Sequence, residues 1–412
     1  MPPSLGERQT DLVSSAPVRI QRRFVGVLAL GQALQGVGQG STLAVGAVIA
    51  ADLAGEEFSG AAATASTLGA ALASIPLARL AVRRGRRPAL ALGASLSVAG
   101  SLAMITATGL ELFPLLVLGF LGLGVGTAVG LQARFAATDA AEPTRRGRDL
   151  SIVVWSTTIG AVAGPNLIGP GAALGDLVGL PERTGSFAIA LAAQLVAVAV
   201  YLVALRPDPL EVARSRPAAP LDDGVVRSRL ALGLAIAVVA LSHAVMVSVM
   251  AMTPVHLTGH GASLTLVGVT ISLHVAGMYA LAPVFGLLSD RAGRVPTVLL
   301  GQAVSLAAVV LVGVASQDHV AVTVALVLLG LGWSAATVAG SALVADLATG
   351  ATRVRMQGRS DTLMSLSGAA GGAAAGPVLA LIGYSGLGWA AAVLVLLAAS
   401  AAVVVGIRIR PS

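Results

Sequence analysis

Runs of about twenty apolar residues succeed one another from residue 24 to residue 407, and the breaks between most of them are short. A hydrocarbon layer about 30 Å thick takes about 20 apolar residues per helical crossing. Of the 412 residues 56% are hydrophobic and 11% charged, against about a quarter charged in a soluble domain, so the chain is excluded as a water-soluble globule. The spacing predicts an all-α integral membrane protein with spans near 24–51, 59–79, 88–109, 112–133, 150–172, 186–205, 230–253, 262–288, 296–316, 319–344, 361–381 and 386–407.

Charge placement orients these spans. All 26 basic residues are Arg, and with the N-terminus inside, 25 of them fall in inner segments and only Arg183 outside. Basic loops near span ends stay cytoplasmic, so both termini are expected in the cytoplasm and the span count must be even. Residues 1–23, with four Arg, two acids and three Pro, read as a cytoplasmic tail and not as a cleaved signal. The polar stretch 206–229, RPDPLEVARSRPAAPLDDGVVRSR, reads as a cytoplasmic linker between six-span halves 24–205 and 230–407, with 408–412 as a second tail.

The missing residue types narrow the chemistry. With no Cys there is no disulfide, thiolate metal site or covalent haem. With no Lys there is neither a P-loop lysine nor a Schiff base. A pI near 11.1 is a matter of topology here, not of nucleic-acid binding, because the Arg residues lie between apolar spans. Gly122, Gly124 and Gly126 follow no strand and sit inside an apolar run, so they are not a nucleotide loop.

The halves repeat. LGLGVG at 121–126 matches LGLGWS at 329–334, and Gly85 matches Gly293, both 208 residues apart. Gly160-x-x-x-Gly164-Pro165 recurs as Gly372-x-x-x-Gly376-Pro377, and RRGRD at 145–149 is echoed by MQGRSD at 356–361. Duplicated halves are a transporter signature. The loop Gly286-Leu-Leu-Ser-Asp290-Arg291-Ala-Gly293-Arg294 resembles the G-x-L-x-D-R-x-G-R motif of the major facilitator superfamily. The resemblance implies an inner latch between helices, with Asp290 accepting hydrogen bonds from Arg or a helix N-terminus. The first-half copy keeps Arg83, Gly85, Arg86 and Arg87 but has Ala78 and Val82 where the family has Gly and Asp. The segment Gly160, Gly164, Pro165 is similar to the antiporter motif of that superfamily's drug/proton exchangers. Phe120 stands where proton-coupled members carry an Arg in span four. The resemblance spans essentially the whole chain and implies two pseudo-symmetric six-helix bundles with a central cavity.

Charge at mid-bilayer is costly and persists mainly for function. No acid falls near the centre of a predicted span, which leaves His274 and His243 as candidate proton-coupling groups. A proton crossing about 150 mV releases about 3.5 kcal/mol, enough for a gradient of a few hundredfold. Gln32, Gln35 and Gln39 share one helical face and are expected to look into a cavity. Met246, Met250 and Met278, with Trp155, Asn166, Tyr279 and Trp333, complete a candidate pocket for apolar or amphipathic solutes. No metal site, cofactor or enzyme motif is expected. The sequence reads as a monomeric multi-pass protein of the cell (inner) membrane whose partners are lipid, a small-molecule substrate and protons. Proton-coupled efflux is the preferred function, with uptake or facilitated diffusion of a small organic solute as the alternative and a membrane sensor or embedded enzyme more remote.

Overall fold

The computed structural model describes residues 5–55, 58, 61–180, 184–215 and 228–409. The side chains of residues 5–18 and of some helical positions, Pro165 and Asn166 among them, lie outside that description, as does linker segment 216–227. Nine of the described helical segments are long and apolar enough to cross a membrane. One of them, Gly350–Ile409, turns at Gly383 (φ 70°) and forms two crossings. The N-terminal helix and a segmented helix after residue 146 bring the crossings to twelve.

In chain order these are α1 (Leu5–Ala54), α2 (Ala61–Arg84), α3 (Arg86–Gly109), α4 (Phe113–Asp139), α5 in three pieces (Arg146–Trp155, Thr157–Asn166, Ile168–Val178) and α6 (Gly185–Ala204). After a short helix, Pro209–Ser215, come α7 (Arg229–Gly259), α8 in two pieces (Leu264–Tyr279, Ala282–Arg291), α9 (Arg294–Ala315), α10 (His319–Leu347), α11 (residues 350–382) and α12 (residues 384–409). The fold is twelve membrane-spanning helices in two pseudo-symmetric six-helix bundles. In the first bundle α3 packs on α4 and α6, and in the second α9 packs likewise on α10 and α12. The bundles meet along two seams, α2 with α11 and α5 with α8.

Prolines explain two of the breaks. Pro283 lacks the N–H that would bond the carbonyl of Tyr279 and crowds it, and the first piece of α8 ends at Tyr279. Pro170 stands in the same relation to Asn166, where the middle piece of α5 ends. The tight turns into α3 and α9 require Gly85 (φ 95°) and Gly293 (φ 100°), a backbone region that a side chain disfavours.

Lipid supplies no hydrophobic drive between helices, so close backbone approach must supply the packing. Between α1 and α5 it comes from four glycines: Gly160 lies on Gly36, and Gly164 on Gly40. The echoed copy on α11 packs differently. Gly372 faces a Val247 methyl, and nothing lies within 4 Å of the place a Cβ would occupy on Gly376. The symmetry of the two sequence motifs is therefore not a symmetry of packing. Gly122 and Gly124 likewise lie against the backbones of Gly100 and Ser66.

On Gly164 a Cβ would come within 2.5 Å of the Gly40 backbone. Gly164→Ala is expected to destabilise the detergent-solubilised protein by ~1–3 kcal/mol, the usual cost of overpacking. Gly376→Ala should melt at or above the wild-type temperature; equal melting of the two variants refutes the packing assignment.

Candidate functional site: a cavity between the bundles and the seams that close it

A cavity of about 120 Å³ lies between the bundles, lined by Gln32, Gln35 and Gln39 of α1, Thr127 and Arg134 of α4, Thr157 of α5, Tyr279 of α8, and Trp333 and Thr337 of α10. The amides reach it because α4 offers Gly126 and Gly130 opposite Gln35 and Gln32. Gln32 donates to Thr157 Oγ1 (2.9 Å) and Gln39 to Thr127 Oγ1 (2.6 Å). Neither amide atom of Gln35 has a partner among the described residues, and the side chain is buried. A buried amide without partners costs stability unless something else bonds it, and both amide atoms of Gln35 are in that position. Tyr279 and Trp333 meet edge to face with centroids 5.8 Å apart and form the wall contributed by the second bundle. Larger clefts, such as that of about 640 Å³ along α2, α3 and α4, involve one bundle only and so cannot be the shared path.

Other sequence candidates lie elsewhere. Met246 and Met278 are buried in the core of the second bundle with Val249, Leu326 and Leu329, and Met250 packs against it. Trp155 is 40% exposed at the first break of α5. Asn166 and Pro165 fall outside the described side chains. His274 is buried, and its Nδ1–H donates to the Leu326 carbonyl (2.7 Å) inside the second bundle. The ring of His243 accepts at Nδ1 from the indole N–H of Trp333 (3.1 Å) and so touches the cavity wall from behind. Phe120 is buried edge to face against Phe187.

The hydrogen bonds that join the bundles gather at the arginine-rich end, along the two seams. At the α5–α8 seam Asp290 accepts from the backbone N–H groups of Gly147 (2.9 Å) and Arg148 (2.8 Å) in the first turn of α5, where the helix dipole favours an anion. Arg294 also pairs with Asp290, and it bonds Asp346 (3.0 Å), which in turn binds Arg146 (2.5 Å). Gly286 allows this approach, since a Cβ there would strike Ser151 and the Gly147 carbonyl. Of the remaining motif cations, Arg291 is exposed at the end of α8.

The α2–α11 seam is built otherwise. Val82 offers no carboxylate; instead Asp208, from beyond α6, accepts from Arg87 N (2.7 Å) beside Gly85. Arg83 is exposed in the last turn of α2. Arg86 turns inward, wholly buried, onto both oxygens of Asp139 (2.7 and 3.2 Å), Gln132 (2.8 Å) and, across the seam, Gln357 (2.6 Å). Arg134 Nη2 donates to Asp361 Oδ1 (2.6 Å), a second crossing with both side chains buried. Ala78 faces Gly358 here, as Gly286 faces Gly147 at the other seam.

Three of these groups, Arg134, Asp139 and Asp361, escaped the sequence reading. It ended span four at residue 133 and began span eleven at 361, whereas the helices run on to Asp139 and start at Gly350. The available signal was the Arg86–Asp139 pair, 53 residues apart, which has a counterpart 52 residues apart in Arg294–Asp346 of the second half.

Two six-helix bundles around a shared cavity, closed at one end by charged seams, define a secondary-transporter architecture. The family model for the Major Facilitator Superfamily matches residues 28–272 and 232–412. The chain is 37% identical over 392 residues, 92% of its length and 90% of the other's, to the "Uncharacterized MFS-type transporter YdeG" of Bacillus subtilis. It is 29% identical over 330 residues, 78% of its length and 80% of the other's, to the "Riboflavin transporter RfnT" of Brucella anthropi. Among solved structures, the human organic anion transporter MFSD10 superposes with a TM-score of 0.75 at 17% identity, covering 93% of this chain and 99% of that one. The chain belongs to the major facilitator superfamily. It is a multi-pass membrane transporter of small molecules.

Asp290→Asn removes the charge from an acceptor of two helix-start N–H groups and Arg294. Charge-assisted hydrogen bonds are worth about 1.5–3 kcal/mol, so turnover is expected to fall about tenfold with solute affinity within about twofold. Wild-type turnover in reconstituted vesicles refutes this role for Asp290.

Proposed function

We propose that the chain exports small, amphipathic compounds in exchange for protons by alternating access, with the arginine-rich end and both termini in the cytoplasm. The observation that carries this reading is the reciprocal glycine contact of Gly160 and Gly164 with Gly36 and Gly40. It welds α5 to α1, the helix that bears the three cavity amides, and the antiporter-like motif lies at that weld. The two helices then tilt as one body, carrying Gln32, Gln35 and Gln39 with them. The positive-inside distribution of Arg supports the orientation. With the seams at that end joined, the cavity is shut off from the cytoplasm and its solute leaves outward.

The cavity's chemistry supports the solute class. Amide and hydroxyl groups on one wall face Trp333 and Tyr279 on the other, so a molecule with a hydrogen-bonding edge and an apolar body fits both. The volume, about 120 Å³, is below the ~300 Å³ of a drug-sized pocket, which favours a compact solute. Of the two candidate histidines, His243 is the better placed to sense it, through Trp333; His274 is bonded within its own bundle.

A second reading, uptake or equilibration of a small organic solute, is favoured by the likeness to a riboflavin transporter. Inverted vesicles holding an acidic interior separate the two. Under exchange, addition of a transported solute dissipates the pH gradient and the solute accumulates; under facilitation it equilibrates with no change in the gradient, which overturns the exchange reading. In the same assay Gln35→Leu, which keeps the volume and removes the amide, is expected to weaken apparent solute affinity about tenfold, at ~1–2 kcal/mol for a lost hydrogen bond to a buried group. An unaltered affinity removes Gln35 from the binding site.

A further inference from the structure

We infer that Asp361 is the group that takes up the coupling proton, at Oδ2, and that its protonation unlocks the α2–α11 seam by releasing Arg134. The inference rests on the exchange reading for its role in coupling, while its geometry stands alone.

The carboxylates that hold the seams differ in how many donors each receives. Asp139 receives Arg86 on both oxygens. Asp290 receives two backbone N–H groups and Arg294. Asp346 receives Arg146 and Arg294. Asp361 receives one donor only, Arg134 on Oδ1; Oδ2 has no partner among the described residues, and neither has Nε of Arg134. Asp361 is wholly buried, in about the third turn of its helix.

A buried ion pair persists because each charge compensates the other, and removing one partner strands the second. Here the partners belong to different bundles, so the motion that opens the seam also separates them. An ionised Asp361 would then be left alone out of water, which is far costlier than holding a proton. Proton binding and seam opening therefore favour each other, and whatever raises one raises the other by the same factor. The step needs no other reagent: a proton joins the free oxygen, the carboxylate becomes a neutral acid, and Arg134 keeps its charge. Arg134 lines the cavity, so a proton that enters by the cavity meets this pair at its floor.

The surroundings leave few competitors. Arg134 of α4 and Arg86 of α3 are the cations whose charge reaches Asp361, and Arg86 is already matched by Asp139. His243 of α7 and Tyr279 of α8 both feel Arg134, but the partner of His243 lies in its own bundle, so its protonation breaks no contact between bundles. The same holds for His274 and Leu326. The α2 residues that meet this stretch of α11, at Gly358 and Thr362, are uncharged, Ala71, Ser74 and Ala78, and Asp346 of α10 is engaged at the other seam.

The chain has no Cys, so labels can be placed without first removing any. Spin labels at Arg79→Cys on α2 and Arg355→Cys on α11, both exposed positions, report the seam by pulsed electron resonance, with no solute present. The wild-type fraction with long distances is expected to rise at least about threefold between about pH 8 and pH 5. With Asp361→Asn it should be high at both pH values and flat. Asp361→Glu should retain the response with a displaced midpoint, and it serves if the Asn variant is not recovered folded. A wild-type seam that ignores pH, an Asn variant that keeps the wild-type response, or a Glu variant with an unmoved midpoint overturns the assignment. Failure of exchange itself is read separately, from the vesicle pH gradient.

Discussion

The molecule depends on keeping buried charge matched across a boundary between two bodies. Arg86 and Arg134 meet carboxylates away from water and Arg146 and Arg294 meet a half-buried one, and Arg134–Asp361 and Arg146–Asp346 run from one bundle to the other. Within each bundle, helices are held by small-residue contacts and interlocked apolar side chains, which need no change of state to persist. Between bundles the hydrogen-bonded and charged contacts gather at one end, beside apolar clusters such as Phe135, Leu150 and Val154 with Ala282 and Val338. Such a boundary has two stable conditions, matched and parted, and that bistability is what a carrier with one site and two openings requires.

Much of the architecture was legible in the sequence, for a reason particular to membranes: lipid forces every spanning segment to be apolar and helical, so hydropathy reports the helices directly. The turn glycines were legible too. Gly85 and Gly293 occupy equivalent places in the two halves, and both have a backbone that only glycine adopts readily. The face of Gln32, Gln35 and Gln39 does look into a cavity, because three amides turned to lipid would be too costly.

Other features were hidden by the same rule. Helices end where hydrogen bonding ends, not where apolarity ends. Arg134 and Asp139 lie on the last turns of α4, and Asp361 well inside α11, because each finds its counter-charge in the protein and never faces lipid. A hydropathy window sees the charge and not its partner. The methionines near His243 and His274 misled for the opposite reason: helical spacing places them on one face, but that face turned toward the core of the second bundle. Gly376, matched in sequence to Gly164, has open space where its counterpart has a helix.

The two seams, related by duplication, have drifted into different strengths. One keeps its aspartate, Asp290, inside a ring with Arg146, Arg294 and Asp346; the other has Val82 and rests on Gln357 and a carboxylate with a single donor. Two edges of unequal grip do not part together. On the exchange cycle proposed above, the side resting on the single-donor carboxylate is the one to part first, and α5 and α8 then serve as the hinge of a door rather than as one of two jaws.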